Sequence, residues 1–263
     1  MNYSFTERRP ADMTLLGLPF HQVGVEEIHA WIQSVISRDE KAIVLNLNIH
    51  GVFLALKNAW YHEMIQKTQL VFCDGDGVRW GLKLMGFPPP PKVTTARWLW
   101  QLAEFCEKQQ YSFYFLGGRP GVPEEAARQL KGRYPGLKVV GFHDNEFDKE
   151  GGAENEKIIA EINRLKPDIL IVAFGQPVQE KWVLENWEKL DAHVFTTAGA
   201  AFEYVAGRIA VTPPWMIRLN LEWFFRLCQE PRRLWKRYCI EIPYFFAHVF
   251  REKWRQLLRG EKK

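Results

Sequence analysis

The chain contains no apolar run long enough to cross a membrane. A membrane-spanning helix needs roughly 18–20 consecutive apolar residues, whereas the most apolar part of the C-terminal region, 240–250, contains Glu241, Pro243 and His248. This segment can lie in a membrane interface but cannot span the bilayer. Residues 1–21 also lack the charged region followed by an apolar region that marks a secretory signal. We therefore expect a cytoplasmic protein.

Several signatures of cofactor and metal sites are also absent. The four cysteines have no CxxC or other metal-ligand spacing, so we expect reduced, mostly packed thiols. The seven histidines form no HExxH motif and no Ser/His/Asp signature. There is no GxGxxG motif and no Gly-Lys-Ser/Thr phosphate loop, which argues against a nucleotide-binding oxidoreductase. The sequence therefore predicts no metal and no bound cofactor.

Short apolar segments alternate with helical patterns along most of the chain. The 263 residues, 47% of them apolar, are sufficient for one large α/β domain and an appendage. The predicted strands are mostly apolar on both faces, as in a parallel sheet, and they cover residues 42–47, 70–73, 112–116, 137–140, 168–174 and 194–197. Helices predicted at 123–134 and 154–165 lie between strands. This alternation indicates a doubly wound, mainly parallel sheet.

Polar or glycine-rich turns follow nearly every predicted strand, where open α/β sheets bind ligands. Asp74-Gly75-Asp76-Gly77 is either a turn with a helix cap or the place of a general base. Gly117-Gly118-Arg119-Pro120-Gly121 is either a tight turn or a phosphate site. Gly175-Gln176-Pro177-Val178-Gln179-Glu180 either caps a helix or binds sugar hydroxyls. Together these turns define one continuous candidate site.

The C-terminal region is basic and aromatic. Residues 213–263 contain 12 Lys and Arg against 5 Asp and Glu, a net charge of +7, whereas the remainder has 23 against 26, a net charge of −3. The same region has 11 aromatic residues and is predicted to form helices with breaks near Glu230-Pro231 and at Pro243. A solvated basic face that binds nucleic acid is one alternative. The aromatic clusters favour an anionic membrane surface instead, and a second copy of the chain is another way to cover them.

In their order along the chain, these motifs resemble the WecG/TagA/CpsF family, glycosyltransferase family 26. The resemblance extends from about Ile43 to Tyr238, and its most specific elements are Gly-x-Pro-x-Gln-Glu at 175–180 and Leu-Glu-Trp-x-x-Arg-Leu at 221–227. It implies a Rossmann-like α/β catalytic domain, 1–212, and a membrane-associating helical appendage, 213–263. It also implies inverting transfer of a hexose or N-acetylhexosamine-type sugar from a UDP-sugar to a polyprenyl-diphosphate-linked sugar, in cell-surface polysaccharide or teichoic-acid-type synthesis.

The resemblance also assigns site residues. The catalytic base of the family falls on Asp74, with Asn46 nearby as a second catalytic residue. We expect tail arginines to supply charge for a metal-independent reaction. The expected substrate-binding residues are Asn48, Lys92, Gly117, Gly118, Arg119, Gly175, Pro177, Gln179, Glu180, Arg226 and Arg233.

One segment departs from the family pattern. Where the family commonly has Arg-Val-x-Gly-x-Asp-Leu, this chain has Lys92, Thr95 and Arg97 in place of the Arg, the Gly and the Asp. The exchange of a carboxylate for a guanidinium changes which substrate groups can be paired. We therefore do not assume that this chain uses the same sugar donor as other members of the family.

Two function classes follow. The first is a glycosyltransferase that is peripheral on the inner face of the plasma membrane. Its expected partners are a UDP-sugar, a polyprenyl-diphosphate-linked acceptor and an anionic membrane surface, and we expect it to bind no nucleic acid. The second is a non-catalytic, membrane-docked protein that binds a nucleotide-sugar or a lipid-linked glycan. A homo-oligomer is compatible with either.

Overall fold

The computed structural model describes residues 4–213, 215, 216, 219 and 221–259, without the side chains of residues 4, 5 and 233. Its main sheet is parallel throughout and has the strand order β5-β4-β9-β8-β6-β7, with the short strand β1 paired to the first residues of β4. The strands of this sheet are β1 Ser4–Phe5, β4 Glu40–Leu47, β5 Leu70–Cys73, β6 Ser112–Gly117, β7 Lys138–His143, β8 Ile169–Ala173 and β9 Val194–Thr197.

Helices connect the strands and cover both faces of the sheet. This confirms the predicted doubly wound α/β fold and every predicted strand to within a few residues. The helices of this part are α1 Val25–Ser37, α2 Ile49–Lys57, α3 Ala59–Lys67, α4 Asp76–Met85, α5 Thr95–Gln109, α6 Val122–Arg133, α7 Ala153–Leu165, α8 Val178–Asn186 and α9 Ala201–Val205.

The core forms two layers because strand residues alternate between the faces of the sheet. In β4, Ile43, Leu45 and Leu47 pack in one layer, while Ala42 and Val44 pack in the other. Both sets are buried, which explains why the strand reads as a continuous apolar run rather than as an alternating pattern.

A small antiparallel hairpin, β2 Met13–Leu15 and β3 Leu18–Phe20, precedes the main sheet and was not expected from the sequence. Its two turn residues, Leu16 and Gly17, have positive φ angles of 53° and 77°. Such a turn matches the twist of a hairpin, but strands of three residues carry too little periodicity to be recognised.

The C-terminal appendage consists of helices that pack on the body. They are α10 Glu222–Gln229, α11 Pro231–Lys236, a π-helical turn Arg237–Glu241 and α12 Ile242–Leu258. The break predicted near Glu230-Pro231 is confirmed, whereas at Pro243 the π-helical turn runs directly into α12. The proposed domain boundary adjoins Pro214, which is outside the described residues, and it stays a prediction.

Helix α12 has one buried face and one exposed apolar stripe. Phe245 and Val249 are fully buried against the body, and α12 contacts both α2 and α4. On the other side, apolar side chains at 250, 254, 257 and 258 are 58–73% exposed. Within the described part of the chain, every helix is too short or too polar to traverse a bilayer.

Candidate active site

A cavity of about 530 Å³ lies at the carboxyl ends of the central strands. Residues that follow β5, β8 and β9 line its floor, and the appendage forms its roof. This is the edge at which the sequence predicted a ligand site. The floor and roof include Asn46, Asp74, Gly175, Gly199, Arg226 and Arg237.

A second cavity, of about 190 Å³, adjoins the first. Asp74, Asn48 and Arg226 line both cavities. In addition to polar and charged residues, α4 and the appendage contribute aromatic and apolar side chains to the second cavity, among them Trp80, Trp223, Ile242 and Phe246. Asp74 therefore lies where the two cavities meet, and the smaller one has the larger share of aromatic side chains.

Asp74 is placed by the end of β5 and held by three neighbours. Its backbone N–H donates to Leu47 O at 3.1 Å, and its Oδ2 accepts from Asn46 Nδ2 and from Thr95 Oγ1, both at 3.2 Å. Burial raises the pKa of the Asp74 carboxyl, although the charge of Arg226 and the two hydrogen bonds oppose this shift. A carboxylate with a raised pKa is better suited to accept a proton.

Asn46 connects Asp74 to the interior of the protein. Its side chain is 7% exposed. The Nδ2 atom donates to Thr95 Oγ1 at 2.6 Å as well as to Asp74, and the Oδ1 atom accepts from Thr197 Oγ1 at 3.1 Å. The amide orientation is therefore fixed from both ends. Asn46 therefore contacts the predicted base directly.

Arg226, on α10, is the appendage cation that faces the predicted base. Burial disfavours its charge, but the acidic groups of Tyr204, Tyr238, Asp74 and Glu222 raise the pKa of the guanidinium. Its Nε atom is buried and has no hydrogen-bond partner among the described residues. A desolvated guanidinium N–H that points to no protein acceptor is suited to an anionic ligand.

Asp76 lies beside the site but is neutralised by protein cations. Arg79 Nη1 donates to its Oδ1 at 2.7 Å, and Lys92 donates to its Oδ2. Lys92 also lies 3.5 Å from Glu222 and lines the smaller cavity. No group of three or more potential metal ligands occurs among the described residues. Both carboxylate oxygens of Asp76 are therefore engaged by cationic side chains of the protein.

Gln179 lines the larger cavity, and Glu180 next to it is fully buried and lines neither cavity. Gln179 is 1% exposed, and its Oε1 accepts from the backbone N–H groups of Gly175 and Gly199, each at 3.1 Å. Its Nε2 donates to Glu180 Oε1 at 2.6 Å. One side chain thus ties the turn after β8 to the turn after β9. Pro177, which follows a cis peptide bond, is the N-cap of α8.

The remaining predicted site residues fall into three groups. Asn48 lines both cavities and caps α2, with its Oδ1 accepting from Gly51 N–H at 3.0 Å. Gly117, Gly118 and Arg119 line neither cavity. The side chain of Arg233 lies outside the described residues.

The glycine turn after β6 is occupied by contacts within the protein. Gly118 N–H donates to Ala173 O, and Gly118 O accepts from Asn145 N–H, both at 3.0 Å. A Cβ atom on Gly117 would meet Ala173 O at 2.7 Å. Arg119 forms a two-point ion pair with Glu203 at 2.8 Å. The tight-turn alternative therefore accounts for the geometry of this segment.

Several residues of the site were not singled out from the sequence. Thr95 stood out only as a departure from the family pattern, and Thr197 only as the last residue of a strand. Glu222 belongs to the Leu-Glu-Trp-x-x-Arg-Leu element but was given no role, although it precedes Arg226 by four residues, a spacing that places both on one helix face. The other newly assigned lining residues are His50, Tyr204, Arg237 and Glu241.

The same combination of fold, site and appendage characterises a known class of protein. Residues 13–259 match the model of the glycosyl transferase WecG/TagA/CpsF family. The chain therefore belongs to this family, as the sequence motifs indicated. The match includes the body and most of the appendage.

Named relatives align over most of this chain. A protein of Bacillus subtilis (strain 168) is 28% identical over 213 residues, which cover 81% of this chain and 80% of the relative. A protein of Staphylococcus aureus (strain MW2) is 22% identical over 245 residues, which cover 92% of this chain and 94% of the relative. Both carry the name N-acetylglucosaminyldiphosphoundecaprenol N-acetyl-beta-D-mannosaminyltransferase.

Proposed function

We propose that this protein is an inverting glycosyltransferase that moves a hexose or N-acetylhexosamine-type sugar from a UDP-sugar to a polyprenyl-diphosphate-linked sugar. The observation that carries the proposal is the position of Asp74, a half-buried carboxylate at the junction of two cavities. The named relatives, whose names describe sugar transfer to a diphosphoundecaprenol-linked sugar, support the same reaction. The product belongs to the synthesis of cell-surface polysaccharide or teichoic-acid-type polymers.

The two cavities differ in a way that assigns the substrates. The larger cavity has room for a nucleotide-sugar, and Arg97 lines it in addition to Arg226 and Arg237, which line both cavities. The smaller cavity has the aromatic walls that suit the acceptor sugar and the first part of its lipid. We place the UDP-sugar in the larger cavity and the acceptor in the smaller one, with Asp74 between them.

The reaction follows from this arrangement. Asp74 takes the proton of the acceptor hydroxyl as its oxygen bonds to the anomeric carbon from the face opposite UDP. The bond between that carbon and the phosphate oxygen breaks, and UDP leaves with the electron pair. Attack from the opposite face inverts the anomeric centre. Arg226 supplies positive charge where the leaving diphosphate becomes more negative.

The exposed stripe of α12 supports attachment to a membrane surface. Phe250, Trp254, Leu257 and Leu258 are exposed on it, while Arg251 and Arg255 on the same helix line a groove beside the β2–β3 turn. Each cation near an anionic surface contributes about 1 kcal/mol. We propose that α12 lies on the inner leaflet of the plasma membrane, with the aromatic side chains in the interface.

The first experiment measures UDP release from neutral and acidic UDP-sugars in the presence of a short-chain polyprenyl-diphosphate sugar. We expect acceptor-dependent release with at least one donor. Asp74→Asn should lower kcat by about 10²–10⁴-fold, the range of one general base, while donor binding measured by calorimetry is retained. Asp148→Asn makes the same exchange at an exposed aspartate and serves as the matched control. Full turnover by Asp74→Asn would refute the assignment of the base.

A second variant tests the role of the Arg226 guanidinium in turnover. Arg226→Ala should lower kcat by about 10²-fold, because it removes one charge that faces the leaving group. Arg232→Ala removes an exposed arginine from the neighbouring helix and should leave kcat unchanged. Equal effects of the two variants would mean that the appendage contributes only general positive charge.

Membrane attachment is tested with vesicles that contain anionic or only neutral lipid. Trp254→Glu should weaken binding to anionic vesicles more than tenfold, since it removes an exposed apolar side chain worth about 1.5–3 kcal/mol in an interface and adds a negative charge. Phe142→Glu, at an exposed apolar position of the edge strand β7, is the control. Binding that is unaffected by Trp254→Glu would exclude α12 as the attachment surface.

A further inference from the structure

The groove between α12 and the β2–β3 turn is a third cavity, separate from the active site. It measures about 380 Å³ and shares no lining residue with the other two cavities. Leu16 and Gly17 form one wall, and all its other lining residues belong to α12 or to the C-cap of this helix, Arg259. The Leu16 N–H donates to Glu252 Oε2 at 3.1 Å, so a hydrogen bond joins the two walls. The mechanism given above assigns this groove no role.

Three arginines line the groove and have no anionic partner in the protein. Arg251, Arg255 and Arg259 follow one another at intervals of four residues, which places them on one helix face about 6 Å apart along its axis. None of the three forms an ion pair within the described part of the chain, whereas Arg119 pairs with a carboxylate at 2.8 Å. Among the described lining residues, Glu252 is the only acidic one. The groove therefore has an excess of positive charge.

The chemistry of the lining suits a phosphate ester. A guanidinium group binds phosphate oxygens through two parallel hydrogen bonds, a geometry that a fixed row of arginines can offer repeatedly. Gln256 lines the same groove and adds an uncharged amide, which can bind an ester oxygen or a hydroxyl group. A phosphate with a polar substituent therefore uses more of the lining than a bare ion does.

The apolar stripe of α12 lies directly beside the arginine row. Phe250, Trp254 and Leu258 each precede one of the arginines by one residue, and they are 58%, 65% and 73% exposed. A water-soluble phosphate ester would leave these side chains in contact with water. A phospholipid would cover both rows at once, with its phosphate at the arginines and its acyl chains along the stripe. The pairing of the two rows thus favours a lipid ligand.

We propose that this groove binds the phosphodiester headgroup of one anionic phospholipid through Arg251, Arg255 and Arg259. Such a site differs from general attraction to an anionic surface, which depends on charge but not on a cavity or on a fixed stoichiometry. Binding at this site would fix the rotation of α12 about its own axis at the leaflet. The proposal rests on the membrane attachment given above and is independent of the sugar transfer.

The first test is calorimetry with a short-chain phosphatidylglycerol below its micellar concentration, and we expect one bound lipid per protein. Arg251→Lys combined with Arg255→Lys keeps both charges but removes the guanidinium forks, and should weaken binding about tenfold. Arg164→Lys combined with Arg232→Lys makes the same exchange at two exposed arginines outside the groove and should bind like wild type. Absence of lipid binding to wild type, or equal affinity of both double variants, would overturn the proposal.

Two variants at Glu252 test whether the hairpin wall belongs to the site. Glu252→Gln and Glu252→Ala both remove a negative charge, but only glutamine keeps an oxygen that can accept from the Leu16 N–H. We expect Glu252→Ala to bind the short-chain lipid about fivefold more weakly than Glu252→Gln, the effect of about one hydrogen bond. Equal affinities would show that charge alone determines binding, and would overturn the groove as a built site.

The source of the phosphate is tested with glycerophosphoglycerol, which is the same headgroup without acyl chains, and with inorganic phosphate. Both should bind at least about tenfold more weakly than the short-chain lipid, because they leave the apolar stripe uncovered. Equal affinity for either compound would identify a site for a soluble phosphate and overturn the lipid assignment. Stoichiometric lipid binding by a wild type that fails to bind anionic vesicles would count only against the membrane attachment.

Discussion

His50 Nδ1 lies 2.8 Å from Glu241 Oε2, and this contact joins the first turn of α2 to the π-helical turn of the appendage. Arg237 Nε lies 3.9 Å from the same carboxylate oxygen. All three side chains line the larger cavity. The body and the appendage are thus connected by a polar contact at the site itself, in addition to the apolar packing of α12.

Loss of this contact should loosen the roof of the cavity. We expect His50→Ala and Glu241→Ala each to lower kcat/KM about fivefold, which corresponds to about 1 kcal/mol for one hydrogen bond. The double variant should lose little more than either single one, because both remove the same interaction. The measurement is a double-mutant cycle on kcat/KM. Fully additive losses would show that the two residues act independently.

A glycine of α4 determines how closely the appendage packs on the body. A Cβ atom on Gly81 would meet Phe245 Cζ at 2.6 Å, whereas one on Gly132 of α6 would meet nothing within 4 Å. We expect Gly81→Ala to destabilise the protein by about 1–3 kcal/mol through overpacking. Gly132→Ala should stabilise it by about 0.5 kcal/mol through helix propensity. Urea denaturation of both variants measures the difference, and stabilisation by Gly81→Ala would contradict the packing.

His29 makes stability depend on pH. Its Nε2 accepts from Trp98 Nε1 at 3.1 Å, its ring stacks on Phe105 at 4.6 Å, and burial lowers its pKa from 6.5 to about 4. The unfolded chain therefore binds a proton between pH 6.5 and 4 that the folded chain excludes. Stability should fall as the pH decreases through this range, by about 3 kcal/mol in total from this residue.

Glutamine at position 29 provides the comparison, because its carbonyl also accepts a hydrogen bond but does not titrate. His29→Gln should show a smaller loss of unfolding free energy between pH 6.5 and pH 4 than wild type does. His21, whose pKa burial also lowers, contributes equally to both proteins and does not affect the difference. Identical pH dependence of the two proteins would show that His29 binds its proton as readily in the folded state as in the unfolded chain.

The contacts of Asp76 lead to a prediction about metal ions. Arg79 and Lys92 already occupy both of its carboxylate oxygens, so a divalent ion would have to displace two cations to bind there. We expect turnover to persist in EDTA. Asp76→Asn should weaken the position of Lys92 in the smaller cavity and raise the acceptor KM more than the donor KM. Loss of turnover in EDTA that manganese or magnesium restores would instead identify Asp76 as a ligand.

The sequence was sufficient to predict the sheet and the location of the site. Strands buried on both faces give continuous apolar runs, and their turns meet at one edge whatever the details of packing. Asn48 and Asp74, which follow two of the predicted strands, could therefore be placed at that edge. Gln179 could not be distinguished from a helix cap, because its two acceptor contacts join turns that are distant in sequence.

The appendage shows the limit of sequence reasoning more clearly. Composition predicted a basic, aromatic, helical segment, and the helices are present. Which cation faces the cavity depends on how α10 and α12 pack on the body, and this tertiary information is absent from a charge count. The glycine turn at 117–121 illustrates the same point, since its backbone N–H groups could serve a phosphate or the protein, and the N–H of Gly118 donates to Ala173 O here.

The position of the Asp74 carboxylate between two cavities also has a consequence for how substrates enter and products leave the enzyme. On the proposed assignment, the water-soluble nucleotide and the lipid-linked sugar approach Asp74 from different sides. UDP can then depart to the aqueous phase while the elongated lipid stays at the leaflet, so neither product has to wait for the other. On this proposal, the acceptor hydroxyl arrives from the lipid phase and the anomeric carbon from the aqueous phase, and the two meet at Asp74.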